Sequence, residues 1–327
     1  NNSQVSENRH KRRKYVYDYI SNSVAKWEPN EEWILDGLNI TMALQKFRNR
    51  SFSMAKRDEN LSDNRVLSLS NIFVITSDQA RSSFHRFSPV YHDKIIGNYP
   101  LKTKWERLPL KARVWCDDTD DENEDKDDDE ENDDGSSEDS LLLVVATILG
   151  SLVEIFASWT ANCTLESSFQ KQHLTVFLDH VFNSNQGIKV REGETHLIDN
   201  PSSLMADYIG SYTSTTDETF DLLAVEVKPP QKSSNHQLQS DYVKVGKEMK
   251  EMVDRLVKKG ISNPITCGIL VEGYEMRTYS LQLVADGVYL MIEHGFIELL
   301  RYPQSVCGVP GIMEHLMQLK SILSTTI

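Results

Sequence analysis

An α/β fold is predicted by three features of the 327-residue sequence: an apolar strand at 220–227 closed by Pro229-Pro230, an amphipathic helix at 239–259, and three strand-like runs behind it. In the helix, Val245, Met249, Met252, Val253 and Leu256 share one face, and Gly260 ends it. The runs are 266–271, 277–284 and 288–292, with 296–300 as a candidate fourth, and residues 311–323 read as a closing helix. Ahead of the strong strand, a helix at 165–182 carries Phe169, Leu174, Phe177, Leu178 and Val181 at three- and four-residue spacing, with Glu166 in its first turn. Short strands at 188–190 and 204–209 follow, then a Ser/Thr-rich turn at 211–219. In the first half, helices are expected at 15–27 and 40–47, and a strand at 70–76, where Ile72, Phe73, Val74 and Ile75 stand in a row.

At 39% hydrophobic and 26% charged residues the chain has the composition of a globular protein, which excludes collagenous and wholly disordered classes. Its net charge of −14 comes from one segment. Residues 117–139 hold sixteen acidic side chains against Lys126 alone, while residues 1–116 carry +8 and residues 140–327 carry −7. The expected organisation is therefore a basic α/β region at 1–116, an acidic disordered linker or loop insertion at 117–140, and a second domain at 141–327.

Four dispersed cysteines show neither a zinc spacing nor a disulfide framework. The sequence starts polar and basic, and the cluster His10-Lys11-Arg12-Arg13-Lys14 reads as a solvated tail, with an import address or a phosphate-contacting arm as the alternatives, so an intracellular setting is the expectation, with the nucleus as one option. Residues 141–159 are apolar for a length that could span a bilayer, yet Glu154 lies within and no Lys or Arg flanks either end, so a buried core helix is the expectation. His173 and His180 lie on one helix without a third ligand and read as core or surface histidines.

The chemistry concentrates around the strong strand. Its two-residue period places Glu226 and Lys228 on one face and Leu223, Val225 and Val227 on the other. Asp207 interrupts an apolar strand just upstream, and a short turn between the two strands would make them neighbours, so Asp207 and Glu226 can converge. A pair of carboxylates suits Mg²⁺ or Mn²⁺, which take one or two protein carboxylates and keep waters for substrate oxygens. Lys228 would orient the attacking water or steady phosphate charge, and Glu166 could add a carboxylate to the metal or its water shell. Ser233, Ser234, Asn235 and His236 form a polar loop that reads by default as a solvated turn and could touch a substrate phosphate.

Asp207, then Glu226-Val227-Lys228 at a strand end, with helical Glu166 before and a long helix after, resembles the PD-(D/E)XK nuclease superfamily. The resemblance implies a restriction-endonuclease-like mixed β-sheet flanked by helices, with a divalent-metal site for phosphodiester cleavage; the N-terminal α/β region could pack against that domain. It gives Asp207 and Glu226 the two motif acids, Lys228 the motif lysine, Glu166 the helix-borne acid, and Lys244 an additional lysine turned toward the site. Ala206 stands where the motif often has proline. A narrower likeness joins Glu226-Val227-Lys228-Pro229, Ser234-Asn235-His236, Asp241, Lys244 and Gly287-Val288-Tyr289-Leu290-Met291 to open reading frames of Mucorales-type fungi.

The expectation is thus metal-dependent hydrolysis of nucleic acid, with DNA ahead of RNA, no small-molecule cofactor, and oligomeric state left open. A competing class is a catalytically inactive scaffold of the same fold that binds nucleic acid or protein. The −7 of residues 140–327 lacks the broad basic face that supplies non-specific affinity, so the +8 of residues 1–116 would have to provide it.

Overall fold

The computed structural model describes residues 27–326 except 58, 85–88, 100–107, 109–134, 161–164, 184–186, 199–204 and 231–239. The basic cluster at 10–14, the helix expected at 15–27 save its last residue, most of the acidic run, and the Ser233 to His236 loop lie outside them. Among the described residues no helix is long and apolar enough to cross a membrane.

Seven strands form one mixed sheet. A small antiparallel pair, β1 (Ile34–Leu35) and β2 (Leu38–Asn39), leads into α1 (Ile40–Lys56), whose first turn is capped by Asn39 accepting from the Met42 amide at 2.8 Å. Then come α2 (Asp63–Leu69), β3 (Ile72–Ile75), α3 (Pro89–Asn98) and α4 (Gly135–Ala157). A broken helix follows: α5 (Glu166–Gln170), a π-turn (Lys171–Thr175) and α6 (Val176–Phe182). The meander β4 (Ile188–His196), β5 (Met205–Thr213) and β6 (Thr219–Lys228) leads to α7 (Asp241–Lys258), then β7 (Ile265–Glu272), β8 (Glu275–Ala285), β9 (Val288–Glu298) and α8 (Val309–Ser324).

The sheet runs β3-β9-β8-β7-β6-β5-β4. Neighbours are antiparallel except β6 with β7 and β3 with β9, which are parallel. The α/β class expected from sequence is the class observed. Because β3 is an edge strand of this sheet, the segment before the acidic run shares a hydrophobic layer with the segment after it. Arg81, just beyond β3, reinforces that union by donating twice to Glu293 of β9, at 2.8 and 3.2 Å.

Helices cover both faces. On one side, Val145, Ile148 and Leu152 of α4, Phe177 and Val181 of α6, and Ile312, Leu316 and Leu319 of α8 pack on Val225, Val227, Ile269 and Val271. Leu143 and Val153 of α4 stay exposed, so this apolar helix has one buried stripe, as a core helix should. At the far end of the same side, Ile40, Leu44 and Phe47 of α1 cover Phe73, Ile75, Leu290 and Ile292. The opposite face is covered by α7 and α2, where Val245, Met249 and Leu67 meet Leu270, Tyr279 and Met291.

Four local expectations are corrected. Helix 165–182 is interrupted by the π-turn, and α4 begins at Gly135, within the stretch expected as linker. The strand expected at 188–190 continues to His196, with an irregularity between Glu192 and Thr195 and Gly193 at φ +106°, as a bulge requires. Residues 296–300 are no separate strand, for β9 runs unbroken through Gly295 to Glu298. A Cβ on Gly295 would lie 3.0 Å from His315 Nε2 of α8, so this glycine serves close packing rather than a turn.

Another glycine sets the seat of α7. A Cβ at Gly268 of β7 would lie 2.5 Å from Val245 Cγ1 and 2.8 Å from Met249 Sδ. Gly268→Ala should therefore push α7 off the sheet and lower stability by about 1–3 kcal/mol, read as a lower denaturation midpoint at unchanged slope.

Candidate active site

The β5/β6 register brings the acids together. Tyr208 pairs with Val225, so the next rung sets Asp207 beside Glu226 on the α7 face. Asp207 Oδ2 accepts a 2.7 Å hydrogen bond from the Val227 amide, which fixes its carboxylate against the end of β6. Parallel pairing of β6 with β7 continues the rung to Leu270 and buries Glu226 at 3% exposure.

Helix α7 supplies Lys244 and further acids. Ser240 caps it, accepting from Val243 N at 3.3 Å, and so fixes the first turn above the end of β6. There Asp241 Oδ2 accepts from Lys228 Nζ at 3.2 Å, and both side chains are nearly buried. One turn further, Lys244 Nζ lies 2.6 Å from Glu226 Oε1. Next on that face stands Glu248, wholly buried, with neither carboxylate oxygen hydrogen-bonded among the described residues.

Charge and burial pull the same way here. Burial raises the Asp207 carboxyl to about 6, against the Val227 hydrogen bond, and nearby Glu166 and Asp241 add to the rise while Lys244 opposes it. Glu226 and Glu248 are also pushed well up, again by burial first; Glu248 repels Glu226, and Asp207 repels both. Lys244 counters both. Its own ammonium is held above the usual lysine range because Glu226, Glu248 and Asp207 outweigh the burial that opposes its charge.

Each site residue expected from sequence thus falls in one neighbourhood: Asp207 and Glu226 side by side, Lys244 on Glu226, Lys228 at the end of the same strand, and Glu166 close enough to act on Asp207. Sequence reasoning missed Glu248 as part of it. The signal was a charge inside an apolar stripe, since Glu248 lies three residues after Val245 and four before Met252. It also missed Asp241 as the partner of Lys228.

Another buried acid is held differently. Asp221, at the other end of β6, accepts from Ser211 Oγ at 2.7 Å, Arg191 Nη2 at 3.0 Å and Ile198 N at 2.6 Å. It is fully satisfied. His173 is structural too, bonded to the Leu300 carbonyl at 2.8 Å, with burial lowering its pKa to about 4.

The donor set is all oxygen, as a hard divalent cation requires. Among the described residues no three His, Cys, Asp or Glu side chains are placed around one metal position. Two carboxylates suffice for Mg²⁺, however, and the adjacent Asp207 and Glu226 could supply them once both have lost their protons. No protein-family model matches the chain, and no match was found among curated proteins or solved structures.

Proposed function

We propose that this protein is a metal-dependent nuclease with a restriction-endonuclease-like core, hydrolysing phosphodiesters at the Asp207, Glu226 and Lys228 cluster. The observation that carries this reading is the pairing of a half-buried carboxylate, Asp207, with a buried one that it repels, Glu226, on adjacent strands, with a lysine two residues beyond the second. Such burial is costly unless a cation offsets it, and groups perturbed in this way concentrate at functional sites. The fold reading draws on the order of elements: Glu166 in the first turn of a helix, Asp207 within β5, Glu226 and Lys228 ending β6, and α7 behind.

When bound, Mg²⁺ or Mn²⁺ would polarise the phosphodiester and lower the pKa of a water. Asp207 and Glu226 would hold the cation, with Glu166 anchoring its water shell. Lys228, held by Asp241, would orient the attacking water and offset charge on the phosphate. DNA is the preferred substrate.

Cleavage of supercoiled plasmid, linear duplex, single-stranded DNA and RNA in Mg²⁺ or Mn²⁺ tests the proposal, with EDTA as control. Plasmid nicking that EDTA abolishes is expected. Cleavage of RNA alone would correct the substrate, and no cleavage of any form would favour the non-catalytic scaffold.

A further inference from the structure

Glu248 is an acid without a stated use. It is fully buried, both its oxygens lack hydrogen-bond partners among the described residues, and Asp207, Glu251 and Asp241 all act against its charge. Asp221 shows that this fold can satisfy a buried carboxylate when the role is structural. The cation acting on Glu248 is Lys244, four residues earlier on α7 and therefore on the same helical face.

Lys244 has a difficulty of its own if the cluster binds metal. Its ammonium lies 2.6 Å from Glu226 Oε1, on a carboxylate the cation would need. A divalent cation repels an ammonium at that range, so Lys244 must go elsewhere, and its flexible four-carbon stem allows it.

We propose that Glu248 is a positioning residue that provides a second seat for Lys244: as Glu226 takes the cation, the Lys244 ammonium moves one helical turn to Glu248. The exchange keeps a cation within the acidic cluster before metal arrives and vacates Glu226 when it does. It rests on the metal-site reading above, and its test separates the two.

The test is calorimetric titration of Mn²⁺ into the full chain as wild type, Glu248→Gln, Lys244→Met, the double variant and Asp207→Ala. Glu248→Gln should weaken binding by about 10- to 100-fold, the range for residues that support metal ligands without touching metal. Adding Lys244→Met should restore wild-type affinity or better, because the competitor for Glu226 is gone. Wild-type affinity in Glu248→Gln would overturn the exchange, as would a double variant as weak as Glu248→Gln, which would make Glu248 a ligand itself. If wild type fails to bind Mn²⁺, or Asp207→Ala binds as tightly as wild type, the metal-site reading falls and the exchange with it.

Discussion

Lys228→Ala protein should cleave nucleic acid about 10³-fold more slowly than wild type while binding divalent cation with little change, because a water-orienting, charge-offsetting group acts chiefly in the transition state. Lys228 is suited to that part. It ends β6 two residues beyond Glu226, is mostly buried, and is tied to Asp241 at 3.2 Å, so its ammonium cannot wander. Its loss should leave the fold intact, since Asp241 sits in the first turn of α7, where the helix dipole favours an acid. Asp207→Ala should behave differently, losing both cation affinity and cleavage. Single-turnover rates and Mn²⁺ titrations on the two variants distinguish a water-handling lysine from a metal-holding acid. Equal loss of cation affinity in both would show Lys228 to be structural.

Asp207→Asn should make the metal-free protein more stable than wild type at pH 8, by about 2 kcal/mol, or roughly 4 °C in Tm. Burial holds the Asp207 carboxyl at about 6 in the folded chain, against 3.8 without that environment. The folded state therefore binds this proton more tightly than the unfolded state. Its contribution is full below 3.8 and is lost as pH rises through about 6. Asparagine removes the charge and keeps an oxygen to accept from Val227. The comparison must be made between the two proteins, because His173, lowered to about 4, and Lys247, lowered to about 8, make stability rise with pH in their own windows. Those contributions cancel in the difference, which should vanish near pH 4 and widen toward neutrality. A difference that stays flat with pH would mean that Asp207 bears no burial cost.

The motif face was legible because period-two alternation in 220–227 forces Glu226 and Lys228 to one side. Asp207 was legible as an acid breaking an apolar strand, and α7 by its apolar stripe. What stayed hidden depends on contacts distant in sequence. The run Ile72 to Ile75 shows a strand but not that its partner is β9, more than 200 residues later. Residues 296–300 read as a separate strand, while β9 runs on through Gly295, where a Cβ would meet His315. The polar stretch Arg191-Glu192-Gly193 hid an edge strand, since edges tolerate charge and bulges. Glu248 was hidden by averaging, because one acid hardly alters the pattern of an eighteen-residue helix.

The electrostatic zones also gain meaning from the sheet. The basic first region contributes β3 to the sheet that carries the acidic cluster, and Arg81 joins that strand's end to β9. Among the described residues of 1–116, eight Lys and Arg balance eight Asp and Glu, so the excess of positive charge in this region lies outside the described residues.

The most direct measurement of the central claim is the initial rate of Mg²⁺-dependent plasmid nicking by wild-type and Asp207→Ala protein at equal concentration. Nicking by wild type and a loss of at least about 10³-fold in the variant is the result predicted for a cation held by Asp207 and Glu226. Equal rates for the two proteins would contradict it.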